Sequence, residues 1–226
     1  ADDAAGFEEK SFFEFHLYTL GRKTSVANNA TKQIELFAQA DAVPAKKLLV
    51  YNGFPSASNV GYGMTDRNFG QQSNAKVDVY LSFANDKKSG LGIPLPAGRI
   101  RVSQLDVADD SLEFIGEDVI SHTPRNEDVR IRLGSSFDVL GQRKQTDYEI
   151  DTRARWIEES IEITLTNRKD VVQKVTIAEP LYRYANWEII NPSQTFKKID
   201  SRTIHFDVSV PADSKKTVRF KVRYTW

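Results

Sequence analysis

Cysteine is missing from this chain altogether, and methionine occurs once. The first absence excludes disulfides, thiol nucleophiles and cysteine-ligated zinc or iron–sulfur sites. It also suits an oxidising compartment, where an unpaired thiol is a liability, so an extracytoplasmic location (periplasm or cell surface) is expected. Net charge is missing too. The 31 Lys plus Arg balance 31 Asp plus Glu, so no global field recruits nucleic acid or an anionic membrane surface. No stretch approaches the roughly 20 apolar residues that span a bilayer as a helix. No transmembrane segment is expected, and the start at Ala1 carries neither the basic nor the apolar region of a secretion signal.

Several catalytic signatures are absent as well. There is no Gly-x-Ser-x-Gly elbow, no His-Glu-x-x-His pair and no EF-hand loop. A serine triad would have to recruit one of three histidines, His16, His122 or His205, and two of these fall within strand patterns. Gly61-Tyr-Gly63 is not followed by a helix start, so it is no nucleotide loop. No cofactor and no metal are expected.

What is present is a rhythm of two. Val77, Val79, Leu81 and Phe83 alternate with Lys76, Asp78, Tyr80 and Ser82, which turns one row inward and the other outward on a half-buried strand. The pattern recurs at Ile161, Ile163 and Leu165, at Ile204, Phe206, Val208 and Val210, and at Val218, Phe220, Val222 and Tyr224. His205 falls on the outward row of its strand. Turn residues divide these segments. Asn167-Arg-Lys-Asp170 and Pro211-Ala-Asp-Ser214 read as hairpin turns, and Ala108-Asp-Asp-Ser111 as a turn capped by its own Asp side chains. About thirteen strands and no amphipathic helix are expected on this spacing.

The 226 residues can bury roughly 70% of their unfolded surface, enough for a full core. The expected fold is all-β: an antiparallel β-sandwich built as two packed immunoglobulin-like subdomains. The first would span residues 1–140, with a long surface loop near 52–72. The second would span residues 141–226.

Several spaced motifs also resemble the bacterial DUF4139 domain family. They are Phe15-His-Leu-Tyr-Thr-Leu20, the Asn29–Phe37 stretch with Thr31-Lys-Gln33, Gly92-Ile-Pro-Leu-Pro-Ala-Gly98, Gly116-Glu-Asp118 with His122-Thr-Pro124, Phe137-Asp-Val139 and Val222-Arg-Tyr-Thr-Trp226. They occur in order over nearly the whole chain. The resemblance implies an uncharacterised envelope protein made with a secretion signal, often carrying a further region before this domain. It implies no catalytic residues.

Three candidate sites stand out. Glu117, Asp118 and His122 offer oxygen and imidazole groups at short spacing, suited to a divalent cation or to a base with its orienting partner. The plainer expectation is that the two acids satisfy backbone donors in a turn after a strand ending at Ile115, while His122 and Thr123 pin the chain ahead of Pro124. Leu91 through Gly98, with two prolines between glycines, suits a stiff strand-to-strand crossover more than a proline-rich ligand. Tyr182, Tyr184 and Trp187 follow Pro180 and would make a stacking platform for sugars if exposed, although aromatics also fill sandwich cores. Asn29-Ala-Thr31 matches the glycosylation acceptor pattern.

Together these features favour a non-enzymatic extracytoplasmic β-sandwich that contacts a protein partner or another region of its own parent protein. The alternatives are a cation-dependent binder or hydrolase centred on Glu117, Asp118 and His122, and a glycan-binding module.

Overall fold

A computed structural model describes residues 7–21, 23–55, 61, 63–71 and 73–226. Tyr62 of the Gly61–Gly63 segment, and residues 56–60 and 72 of the expected 52–72 loop, lie outside the described residues. Among the described residues there are thirteen strands. In chain order these are β1 (Phe7–Phe12), β2 (Phe15–Leu20), β3 (Ala45–Tyr51), β4 (Lys76–Ala84), β5 (Gly98–Leu105), β6 (Leu112–Ile120), β7 (Asp128–Asp151), β8 (Trp156–Asn167), β9 (Gln173–Pro180), β10 (Asn186–Ile190), β11 (Lys197–Lys198), β12 (Thr203–Val210) and β13 (Ser214–Thr225). A 3₁₀ turn at Lys87–Ser89 is capped by the Asp86 carboxylate. The fold is all-β.

Nine strands form one sheet in the order β10-β13-β8-β7-β4-β3-β9-β12-β11, and β1-β2 and β5-β6 form two-stranded sheets. The large sheet is mixed rather than antiparallel throughout, because β3 runs parallel to β9 with Leu49 opposite Val175 and Tyr51 opposite Ile177. The period-two rows of β8, β12 and β13 behave as their chemistry requires, whereas in β4 only Val77 is fully buried and Val79, Leu81 and Phe83 are half-buried like the residues between them. Ile161, Ile163 and Leu165 of β8, Val175 and Ile177 of β9, Ile204, Phe206, Val208 and Val210 of β12 and Val218, Phe220, Val222 and Tyr224 of β13 are buried in one cluster with Leu49, Tyr51, Val77 and Val139. Burying each such side chain contributes about 1.5–3 kcal/mol. Gly141 is part of the same packing, since a Cβ there would fall 2.1 Å from Cε2 of Tyr51.

Two expected hairpins are not hairpins. β8 and β9 are not neighbours in the sheet, nor are β12 and β13, so the 168–172 and 211–213 turns carry the chain from one layer of the sandwich to the other. Buried Asn167 joins the two crossings. Its Nδ2 donates to the carbonyls of Val171 (2.8 Å), Val210 (3.2 Å) and Pro211 (2.9 Å), and its Oδ1 accepts from Lys169 N at 3.0 Å. Asp213 N also donates to Lys169 O at 2.9 Å.

Contacts divide the chain into two compact units. One comprises residues 1–45, 83–98 and 120–129; the other comprises 46–82, 99–119 and 130–226. The break expected at residue 140 lies inside β7, a continuous strand whose partners come from both sides of that position. The sandwich core belongs to the second unit. In the first, buried Asn85 ties two loops together. Its Nδ2 donates to Ile93 O (2.7 Å) and Pro124 O (2.9 Å), and its Oδ1 accepts from Gly92 N at 3.1 Å. Gly92 adopts φ 85°, and a Cβ there would meet Lys87 N at 2.8 Å. The Leu91–Gly98 segment links the Lys87–Ser89 turn to β5, as expected of a crossover.

Candidate functional site

Glu117 and Asp118 lie within β6, which continues past Ile115 to Ile120 instead of ending in a turn. Gly116 permits this continuation, because a Cβ there would fall 2.8 Å from Leu133 O. Alternation sends the two carboxylates to opposite faces. Glu117 pairs with Arg99 and, at 3.2 Å, with Arg101. Asp118 accepts from the backbone N–H groups of Val119 and Arg132, both at 2.8 Å. Those bonds, Arg132 first, hold its carboxyl below the usual carboxylate range. His122 Nδ1 accepts from Ala97 N at 3.2 Å, and Thr123 bridges to Leu95 ahead of Pro124. Each of the three groups therefore has its own structural partner. Among the described residues no group of three or more His, Asp or Glu is placed to hold a metal ion.

The aromatic trio separates by depth. Tyr182 is buried rather than displayed, with Phe54 and Phe69 edge-on at 5.2 and 5.6 Å, so no sugar ring can stack on it. Tyr184 stacks on Trp226 at 4.4 Å, nearly parallel. Trp187 donates from Nε1 to Ser201 O at 2.7 Å, and Lys198 Nζ lies 4.7 Å from the centre of its ring.

Sequence reasoning missed the most strongly charged place in the interior. Glu159, Glu179, Arg143 and Arg183 are all buried at one end of the sandwich core. Arg183 binds Glu159 Oε1 at 2.7 Å and donates to the carbonyls of Met64 (2.9 Å), Asp66 (2.9 Å) and Phe69 (3.1 Å). Its guanidinium also faces the rings of Tyr148 and Tyr182, at 4.8 and 5.3 Å. Arg143 contacts Glu179 Oε1 through Nε (2.9 Å) and Nη2 (2.8 Å), and reaches Gly70 O at 2.6 Å. Tyr182 donates to Glu159 at 3.2 Å, and Tyr148 donates to Thr65 O.

Burial pushes the Glu179 carboxyl up, opposed by Arg143. Against the same burial, contact with Glu179 raises the Arg143 guanidinium and keeps it cationic. The cluster thus acts as a clamp. Two interior cations hold the carbonyls of the 64–70 segment over the end of the core, and two carboxylates neutralise them. The sequence signal was present: Glu159 and Glu179 stand in the inward rows of Ile157, Ile161 and Ile163 and of Val175 and Ile177, where a lone charge demands a buried partner.

His205 lies on β12 between Lys197 of β11 and Ala178 of β9. Desolvation lowers its pKa, opposed by Asp207 and Asp200 and assisted by Arg130 and Lys197. The unfolded chain therefore binds the His205 proton more readily than the folded one. Its contribution to stability is present above the ordinary histidine range and is lost as pH falls through the depressed folded value. Urea denaturation across this window should show stability rising with pH in the wild type and a flatter profile in His205→Gln. An identical slope in both would remove His205 as the cause.

Outside the core, the β5–β6 ribbon exposes large apolar side chains on both its faces. Leu112 is 72% exposed, Phe114 60% and Val119 66%. The turn joining the strands is capped as expected, with Asp106 accepting from Ala108 N at 2.9 Å and Asp109 from Ser111 N at 3.0 Å. No protein-family model, curated protein or solved structure matches this chain.

Proposed function

We propose that this chain is a non-enzymatic interaction module working outside the cytoplasm, and that the β5–β6 ribbon is its contact surface. The observation that carries this reading is the exposure of Leu112, Phe114 and Val119 on a narrow two-stranded arm. Apolar surface of this kind on an ordered ribbon marks a place where a partner removes it from water, and the arm's strand edges offer backbone groups for pairing. The partner is another envelope protein or another region of the parent protein. The lack of cysteine and the resemblance to the DUF4139 family support an exported setting.

The cation-binding and hydrolytic alternative has less support, because Glu117 is engaged by Arg99 and Arg101 and Asp118 by backbone N–H groups. The glycan-binding alternative loses its central ring to the core, since Tyr182 is buried.

Photo-crosslinking in intact cells tests the reading. A photoreactive phenylalanine analogue at position 114 should yield a discrete adduct, whereas the same analogue in place of exposed Lys144 on β7 should yield none. Equal labelling at the two positions, or none at either, would sink the proposal.

A further inference from the structure

The first unit holds a combination that the ribbon surface does not explain. A cavity of about 690 Å³ is lined by Lys87, Lys88, Arg125 and His16, with Asp86 as its one acidic lining residue. Asp86 is occupied, since its carboxylate accepts from Ser89 N at 2.7 Å. His16 is also occupied, with Glu9 at 2.6 Å. Among the described residues Lys87, Lys88 and Arg125 form no ion pair, whereas Arg99, Arg132, Arg168 and Arg219 each do. A neutral chain thus concentrates an excess of positive charge in one concave place, three cations against the single Asp86 carboxylate.

Adjoining it, and sharing His16, Pro94 and Pro124 with it, is an apolar groove of about 400 Å³ lined by Phe15, Tyr18, Leu95 and Pro96, with Glu14 and His122 among its polar residues.

The β1–β2 hairpin supplies the third element. Phe12 pairs with Phe15 in register, so Phe13 and Glu14 form a two-residue connection. Phe13 adopts φ 56°, at the position where hairpins of this length favour glycine. A bulky aromatic in the left-handed region is unfavourable for folding. Its side chain nevertheless stands 87% exposed, flanked by Phe12 at 65% and Phe15 at 70%. Local folding does not explain three phenylalanines held in water at such a tip.

We infer that this unit binds an anionic phospholipid at a bilayer surface, with the phosphate headgroup against Lys87, Lys88 and Arg125 and the Phe12, Phe13 and Phe15 side chains entering the apolar boundary. Cations facing a phosphate beside an apolar channel match the two halves of such a molecule. The projecting aromatic tip matches insertion into an interface. The site is separate from the proposed β5–β6 contact surface and does not depend on it.

The test is co-sedimentation with phosphatidylcholine vesicles, with and without phosphatidylglycerol. The protein should sediment with the mixed vesicles and not with phosphatidylcholine alone, and added salt should weaken the binding. The triple variant Lys87→Gln, Lys88→Gln, Arg125→Gln should bind roughly 100-fold more weakly, at about fivefold per cation. Phe13→Ser should bind about tenfold more weakly. All four positions are exposed, and unchanged melting curves would show that the variants fold. Inorganic phosphate or glycerol phosphate should not displace the protein. Displacement by either would mean a free-phosphate site and overturn the lipid assignment, as would equal binding to both vesicle types, no binding to either, or full binding by the triple variant. A Phe114 crosslink that persists in the triple variant would show that the two surfaces stand or fall separately.

Discussion

Replacing Glu159 with leucine should lower the folding free energy by about 3–5 kcal/mol, a large part of the about 5–15 kcal/mol that holds a typical domain together. The leucine fills much of the same volume. The loss comes from Arg183, which stays buried and cationic while its carboxylate partner at 2.7 Å is gone. Tyr182 also loses one of its two acceptors, keeping the Phe69 carbonyl. Chemical denaturation measures the effect. Adding Arg183→Met should recover much of it, because removing both charges costs far less than orphaning one. Arg183→Met alone should have a local signature as well. Without its three carbonyl contacts the 64–70 segment loosens, so trypsin should cut after Arg67 faster than in the wild type. A Glu159→Leu protein as stable as wild type would show that the pair is not the closed, dry arrangement described.

Asn167→Ala should be nearly as damaging, at about 2–4 kcal/mol by the same measurement. Three carbonyls, those of Val171, Val210 and Pro211, lose their shared donor, and Lys169 N loses its acceptor. Asn167→Asp sharpens the comparison. It retains an acceptor for Lys169 N but sets a carboxylate against three carbonyl oxygens, so it should be at least as destabilising as alanine. If aspartate were tolerated while alanine was not, the volume of the side chain would matter more than its donors.

The inward rows of β8, β12 and β13 could be read residue by residue, because burial on one face forces the period on which strand assignment rests. The route between layers could not. Turn residues such as Asn167 through Asp170 announce a reversal, but the same chemistry serves a hairpin and a crossing, and only contacts distant in sequence decide between them. The parallel pairing of β3 with β9 is likewise non-local. The clamp was obscured by one extra residue. The bulge between Gln145 and Asp147 changes the parity of β7, so that Arg143 and Tyr148, five positions apart, both face inward. Simple alternation would put them on opposite faces. Gly116 read as the end of a strand, whereas in β6 it marks the close approach of Leu133. For the candidate groups, the sequence placed Glu117 and Asp118 in a turn that the structure replaces with the continuing strand β6, and it could not show which partners already engaged them or His122. Tyr182 lay at a position where aromatic character alone does not determine depth.

The outermost strand β11 is just two residues long, and both are lysines. An open sheet margin normally invites further chains to add on, layer after layer, until fibrils grow. Here the margin is too short to template an incoming strand, and a second copy presented side by side would meet two charged side chains, Lys197 held by Asp207 and Lys198 over the Trp187 ring. Crowded at high concentration, molecules of this protein should remain dispersed along that border.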